Sequence, residues 1–263
     1  MDNELSENLK AIGKPAGLAA QGVERIFTNQ IYSGHAISPL MWEWGTSYEI
    51  ESLRKFSEIA ERAILDEAVN FKKHIENSSQ GLEGFQLEAY LSNHSDEYER
   101  ISVQFAQVHR SSIFLRSYGL LERILNYVCE DFAEWNRVKI LVKDLKGQGI
   151  ERAKIYLSKQ HDFDFVSKNP EWALLQSYGR IRNLFAHTYG DLPDDDTKRK
   201  QITNDVNKLK FIKIDKGDIV LEENFTTNFL DILRSFFDVF FQEIEKYTLS
   251  NPAKLRLIRY PRP

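Results

Sequence analysis

Apolar residues recur at intervals of three and four between Ser47 and Asn77 (Ile50, Leu53, Phe56, Ile59, Ala60, Ala63, Ile64, Ala68 and Phe71), which predicts one amphipathic helix ending in a Ser, Gln and Gly loop near 78–84. A longer helix is expected over about 95–136. Its stripe of Tyr98, Ile101, Phe105, Val108, Ser112 and Leu115 shifts frame past Gly119 to Leu121, Ile124, Val128, Phe132 and Trp135, and a bend at Gly119 accounts for the shift. A shorter helix follows from Arg152 to Gln160. Pro170 then opens one from about Glu171 to Tyr189, which Gly190 and Pro193 close. The segments FIKI and IVLE flank Asp215, Lys216, Gly217 and Asp218, a β-hairpin signal near 210–222 that must lean on helices to be stable. The last helix, about Thr226 to Leu249, carries Phe229, Leu233, Phe236, Phe237, Phe240, Phe241, Ile244 and Tyr247 over an arc wide enough for central burial or for a second chain. Residues 1–46, broken by Gly13, Pro15, Gly17, Gly22, Gly34, Pro39 and Gly45, read as an arm whose Trp42 and Trp44 must anchor onto something. The expected fold class is mainly all-α with a small hairpin insertion: an arm over 1–46, a helical domain over 47–250 and a basic tail over 251–263.

Composition sharpens this picture at three points. The 263 residues are 42% hydrophobic and 28% charged, which excludes a disordered chain. The lone cysteine, Cys129, sits in an apolar helical pattern and reads as a small core residue. The acidic start MDNELSENLK and an apolar stretch at 236–241 broken by Asp238 point to neither export nor membrane spanning, so a cytoplasmic protein is expected. The net charge of −4 is unevenly spread: residues 1–99 carry 8 basic and 17 acidic side chains, residues 100–182 carry 14 and 9. An acidic chain can still bind RNA through such a local basic segment. The candidate RNA-binding strip is Arg137, Lys139, Lys143, Lys146, Arg152, Lys154 and Lys159, with a solvated helix face as the plainer reading. Lys254, Arg256, Arg259 and Arg262 in the tail either touch nucleic acid or pack.

The chemistry-bearing segment is Ser177 to Asp191, SYGRIRNLFAHTYGD, which puts Arg182, Asn183, His187 and Tyr189 in the last turns of a helix. Arg182 and His187 are five residues apart, so on an ideal helix they differ by about 140° in azimuth and roughly 7.5 Å in height. They converge on one groove if the arginine sweeps toward the C-terminus and the last turn unwinds after Ala186. An imidazole gives or takes protons at cellular pH, and a guanidinium offers two parallel donors to a phosphate. Together they are the parts for attack of a ribose 2'-OH on the adjacent phosphorus, a reaction open only to RNA. One histidine per chain leaves the set one proton-transfer group short; a two-fold dimer, Tyr189 or Asn183 would supply it.

Arg182-Asn183-Leu184-Phe185-Ala186-His187 resembles the signature of the HEPN superfamily, an Arg followed by a polar residue, often Asn, and then a His. Through Thr188 to Tyr189 it becomes Arg-x4-His-x-Tyr, similar to HEPN toxins paired with minimal nucleotidyltransferase antitoxins. The resemblance covers roughly residues 47–249. It implies an antiparallel helical bundle and a metal-independent endoribonuclease without cofactor, active as a homodimer in toxin–antitoxin or abortive-infection (phage) defence. Carried over by position, Arg182 and His187 are the catalytic pair, Asn183 orients the site or the phosphate, and Tyr189 matches the tyrosine such antitoxins AMPylate. The chain is much longer than those toxins, with its arm, hairpin and tail. The competing expectation is an inactive HEPN module that dimerises and binds RNA or a nucleotide within a defence assembly.

Other constellations carry less. The six histidines (35, 74, 94, 109, 161 and 187) have no metal-ligand spacing and Cys129 has no cysteine partner, so no metal site is expected. Asp191, Asp194, Asp195 and Asp196 read as a solvated turn rather than a Mg2+ site. Gly147-Gln148-Gly149 reads as a loop, lacking the lysine of a phosphate cradle. His109, Arg110 and Arg116 either line the groove that the motif helix faces or make ordinary interhelical hydrogen bonds.

Overall fold

In a computed structural model of the chain, residues 37–251 are described. The elements in order are α1 (Ile37–Ser78), α2 (Gly84–Glu99), a π-helical turn (Arg100–Gln104), α3 (Phe105–Trp135), a 3-10 turn (Val142–Asp144), α4 (Gly149–His161), α5 (Trp172–Thr188), α6 (Asp196–Val206), the strands β1 (Ile212–Asp215) and β2 (Asp218–Leu221), and α7 (Phe225–Ser250). The fold is mainly all-α with one two-stranded antiparallel hairpin. Residues 1–36 of the expected arm and the basic tail residues Lys254, Arg256, Arg259 and Arg262 lie outside the described residues.

Three boundaries differ from expectation, each because packing overrides a local signal. α1 begins at Ile37 and runs through Gly45, because Trp42 already docks on α3: its indole Nε1 donates to Asp131 at 2.9 Å and its ring stacks 4.7 Å from Tyr127. The long second helix starts as α2 at Gly84 rather than near 95, and its irregularity is the π-helical turn at 100–104. The α-helix runs unbroken past Gly119 and no bend is needed there, because the expected stripe is not the core face: Phe105 and Val108 are 45% and 65% exposed, and after the π-helical turn Ala106, Ile113, Phe114, Ser117 and Leu121 point inward instead. α6 was not read at all. Its core face rests on Ile202 and Val206, and its start is set by Asp195, whose carboxylate accepts from the Lys198 amide at 2.8 Å.

The hairpin lies where the turn chemistry placed it. Lys216 and Gly217 both take positive φ (51° and 99°), the geometry of a two-residue I′ turn. It leans on α3, since the Gln107 side chain bonds both the N–H and the C=O of Leu221 and Arg110 donates to the same carbonyl. It also braces the chain leaving α5, because the Ile219 amide donates to the Gly190 carbonyl and the Leu192 amide to that of Gly217.

The core is aromatic. Phe114 is fully buried and meets Tyr118, Tyr178, Phe185, Phe225 and Phe229 edge-on. The wide apolar arc of α7 is covered within the chain: Phe225, Phe229, Leu233, Phe236, Phe240, Phe241 and Ile244 are all buried. Cys129 is a core residue as expected, with its thiol toward the Ala153 carbonyl, and burial pushes its pKa up to about 12. Among the described residues no helix is long and apolar enough to cross a membrane.

Candidate functional site

α5 buries Leu175, Tyr178, Ile181 and Phe185 on one side and leaves Gln176, Arg180, Asn183 and His187 on the other. At about 100° per residue, Arg180, Asn183 and His187 all fall within about 40° of Gln176, and His187 stands one turn, about 6 Å, beyond Asn183. The helix stays intact to Thr188, so the unwinding after Ala186 does not occur. Arg182 therefore keeps its offset from His187 and leans the other way, toward α3.

That lean places Arg182 in an open cleft of about 410 Å³ between α3, the head of α4 and α5. Tyr118 and Glu122 form one wall, Gln148, Gly149, Ile150 and Glu151 a second, and Gln176, Gly179, Arg180, Arg182 and Asn183 the third. Arg182 Nη2 donates to Glu122 Oε2 at 3.0 Å and Nη1 to Asn183 Oδ1 at 3.1 Å, while the guanidinium sits 5.6 Å from the centre of the Tyr118 ring. Its Nε is buried and has no hydrogen-bond partner. The cleft brings Arg182 and Asn183 together. It does not include His187, which is exposed at the end of the same face, nor Tyr189, which is 94% exposed on a left-handed turn at φ 57°.

The supporting residues were not singled out from the sequence. Arg180 donates through Nε and Nη2 to Asp205 of α6, which is buried and also accepts from Ser177. Burial alone would raise the Asp205 carboxyl, but the hydrogen bonds from Arg180 and Ser177 outweigh it and hold it below the usual carboxylate range. A carboxyl depressed in the folded state adds stability above its unfolded value, about 3.9, and loses it as pH falls through the folded one. Asp205→Asn is accordingly expected to unfold at lower urea than the wild type at pH 7, with the gap narrowing below about pH 4.

Tyr118 explains the mid-helix glycine. A Cβ at Gly179 would lie 2.3 Å from the Tyr118 hydroxyl and 3.1 Å from its Cζ. The ring is held by stacking on Phe229 and by donation to the Leu175 carbonyl, so it cannot yield cheaply. Gly179→Ala should displace the ring beneath Arg182 and destabilise the fold by about 1–3 kcal/mol. Adding Tyr118→Phe, which removes the clashing hydroxyl, should recover part of the melting temperature; no recovery would put the clash elsewhere. Burial, with Glu122 next in effect, raises the Tyr118 hydroxyl well above its usual value, so it acts as a neutral hydrogen-bond donor.

Gly147-Gln148-Gly149 is a loop in part only: Gly149 is the first residue of α4, and Gln148 to Glu151 line the cleft. Gly149 has φ 57° and its missing Cβ leaves room for Glu122 Oε1, 3.0 Å from where that atom would sit. His109, Arg110 and Arg116 do not line this cleft. His109 meets Ser57 at 3.1 Å, Arg110 forks onto Glu61, and Arg116 lies 3.9 Å from Glu49, all toward α1. The basic strip is not one helix face: Arg137, Lys139, Lys143 and Lys146 are exposed along the segment joining α3 to α4, ending two residues before Gln148. Arg152 and Lys154, on α4, are half-buried, and Lys154 pairs with Glu151 at 3.3 Å. In the acidic run, Asp195 caps α6 and Asp191 bridges Asp218. Among the described residues no group of three or more His, Cys, Asp or Glu is placed to hold a metal ion.

The arrangement can fix an acceptor-rich ligand beside Arg182 and Asn183, while His187 stands outside the residues that line the cleft. No family model, curated protein or solved structure matches the chain.

Proposed function

We propose that this protein is a metal-independent endoribonuclease of the HEPN type, a toxin or phage-defence effector that cleaves RNA by 2'-OH transesterification. The observation that carries the reading is Arg182, held in an open cleft by Glu122, Asn183 and the Tyr118 ring. An RNA strand laid along the polar face of α5 passes Asn183 before it reaches His187, and Arg182 meets it from the cleft beside that face. The 2'-oxygen bonds to phosphorus as the bond from phosphorus to the 5'-oxygen breaks. Arg182 donates to the phosphoryl oxygens as their charge grows, and His187 moves a proton at the attacking or departing oxygen. The remaining proton-transfer group comes from a second copy in a homodimer, or from Asn183 or Tyr189. The exposed strip from Arg137 to Lys146 leads the strand toward the cleft by its charge. The solvent-facing Tyr189 leaves its hydroxyl open to a nucleotidyltransferase antitoxin.

The chemistry leaves distinctive ends. Cleavage in excess EDTA should give a 2',3'-cyclic phosphate and a 5'-hydroxyl, read by end-labelling. A 5'-phosphate product would refute the transesterification.

A second reading, a nucleotide- or RNA-binding HEPN module without catalysis, is favoured by one observation: His187 stands outside the residues that line the cleft. Binding of RNA without any cutting would select it.

A further inference from the structure

The cleft has a second carboxylate whose role the cleavage chemistry leaves open. Glu122 is committed to Arg182, whereas Glu151, on the first turn of α4, presents a half-exposed carboxylate. Its Oε1 accepts from Gln176 Nε2 at 2.5 Å, which fixes its orientation, and its Oε2 has only a long 3.3 Å bond from Lys154. A carboxylate has about four acceptor positions, so two remain. Arg180, the guanidinium one turn from Gln176, is already matched by Asp205. The Gln176 end is therefore no surplus-cation nest for a phosphate. It is an edge of amides and one oriented carboxylate, the chemistry that reads a nucleobase.

We propose that Glu151 makes this end of the cleft a guanine-binding subsite, resting on the ribonucleotide site proposed above. Among the RNA bases only guanine carries two adjacent donors, N1–H and the exocyclic N2–H, that both oxygens of one carboxylate can accept. Adenine and cytosine turn a ring-nitrogen lone pair toward a carboxylate at the corresponding place, and uracil offers a single N–H between two carbonyls. The amides of Gln148 and Asn183, which line the same cleft, offer donors to the guanine O6 and N7. Gln176 and Asn183 are seven residues apart on α5, about 10 Å, so the recognised guanosine lies within a nucleotide or two of the phosphate at Arg182.

The test is calorimetric titration of the full chain with GMP, AMP, CMP and UMP, using the wild type, Glu151→Gln and Arg182→Ala. The expected result is GMP bound about tenfold more tightly than the other three, a preference lost in Glu151→Gln and kept in Arg182→Ala. Equal binding of the four, binding of none, or a preference that survives Glu151→Gln would overturn the subsite. Thermal melting of Glu151→Gln checks its folding; if that variant is unfolded, Gln176→Leu, which releases the carboxylate, must lower the preference instead. A guanine preference without any RNA cleavage would sink the ribonuclease and leave the subsite standing; cleavage without the preference would do the reverse.

Discussion

Arg182→Ala is expected to lower RNA cleavage by about 100–1,000-fold, the usual cost of removing one preorganised donor from a developing oxyanion. Arg182→Lys should recover little of it. The side chain forks onto Glu122 and Asn183 with its Cζ 5.6 Å from the centre of the Tyr118 ring, and an ammonium on a flexible stem does not reproduce the fork. Single-turnover rates with the protein in saturating excess over the RNA separate this loss from weaker association. A lysine variant within a few fold of the wild type would show that charge alone matters and that the geometry around Arg182 is incidental.

Phe114→Ala is expected to destabilise the fold by about 3–5 kcal/mol, read as a lower urea midpoint at unchanged slope. Phe114 has no exposed surface and its ring is the shared neighbour of five others drawn from α3, α5 and α7, with centroids 4.9 to 6.4 Å away. No small shift refills such a hole, because four of the five neighbours, Tyr118, Tyr178, Phe225 and Phe229, are themselves packed on one another. Val69→Ala, at a side chain on α1 left 51% exposed, should stay within about 0.5 kcal/mol of the wild type and serves as the control. The site feels the cavity too, since Tyr118 underlies Arg182 and Phe185 packs behind the turn that precedes His187.

Elements that bury a stripe of their own were readable from the residues. The face of α5, the arc of α7 and the positive-φ pair at Lys216 and Gly217 each announce themselves in a few neighbouring positions. What escaped depended on distant partners. Gly45 reads as a breaker until Trp42 is seen docked on Asp131 and Tyr127, about ninety residues on. α6 has two apolar anchors and gains its place from Asp205 gripping α5. At the site, the motif gave Arg182, Asn183 and His187, but nothing local ties Glu122 to an arginine sixty positions later. Two local traces of the cleft wall lay in the sequence: Gly147-Gln148-Gly149, read only as a loop, and Gly179, not singled out, a glycine inside an otherwise regular helix whose missing side chain makes room for Tyr118.

The central claim is that Arg182 and His187, from one chain or from the two copies of a homodimer, act on the same phosphodiester. A double-mutant cycle in excess EDTA measures it: single-turnover cleavage of one RNA by the wild type, Arg182→Ala, His187→Ala and the double variant. If the two groups serve one transition state, each single change is severe and the double variant is little worse than the poorer single. Wild-type cleavage unaffected by either change, or losses that simply multiply, would contradict the shared site.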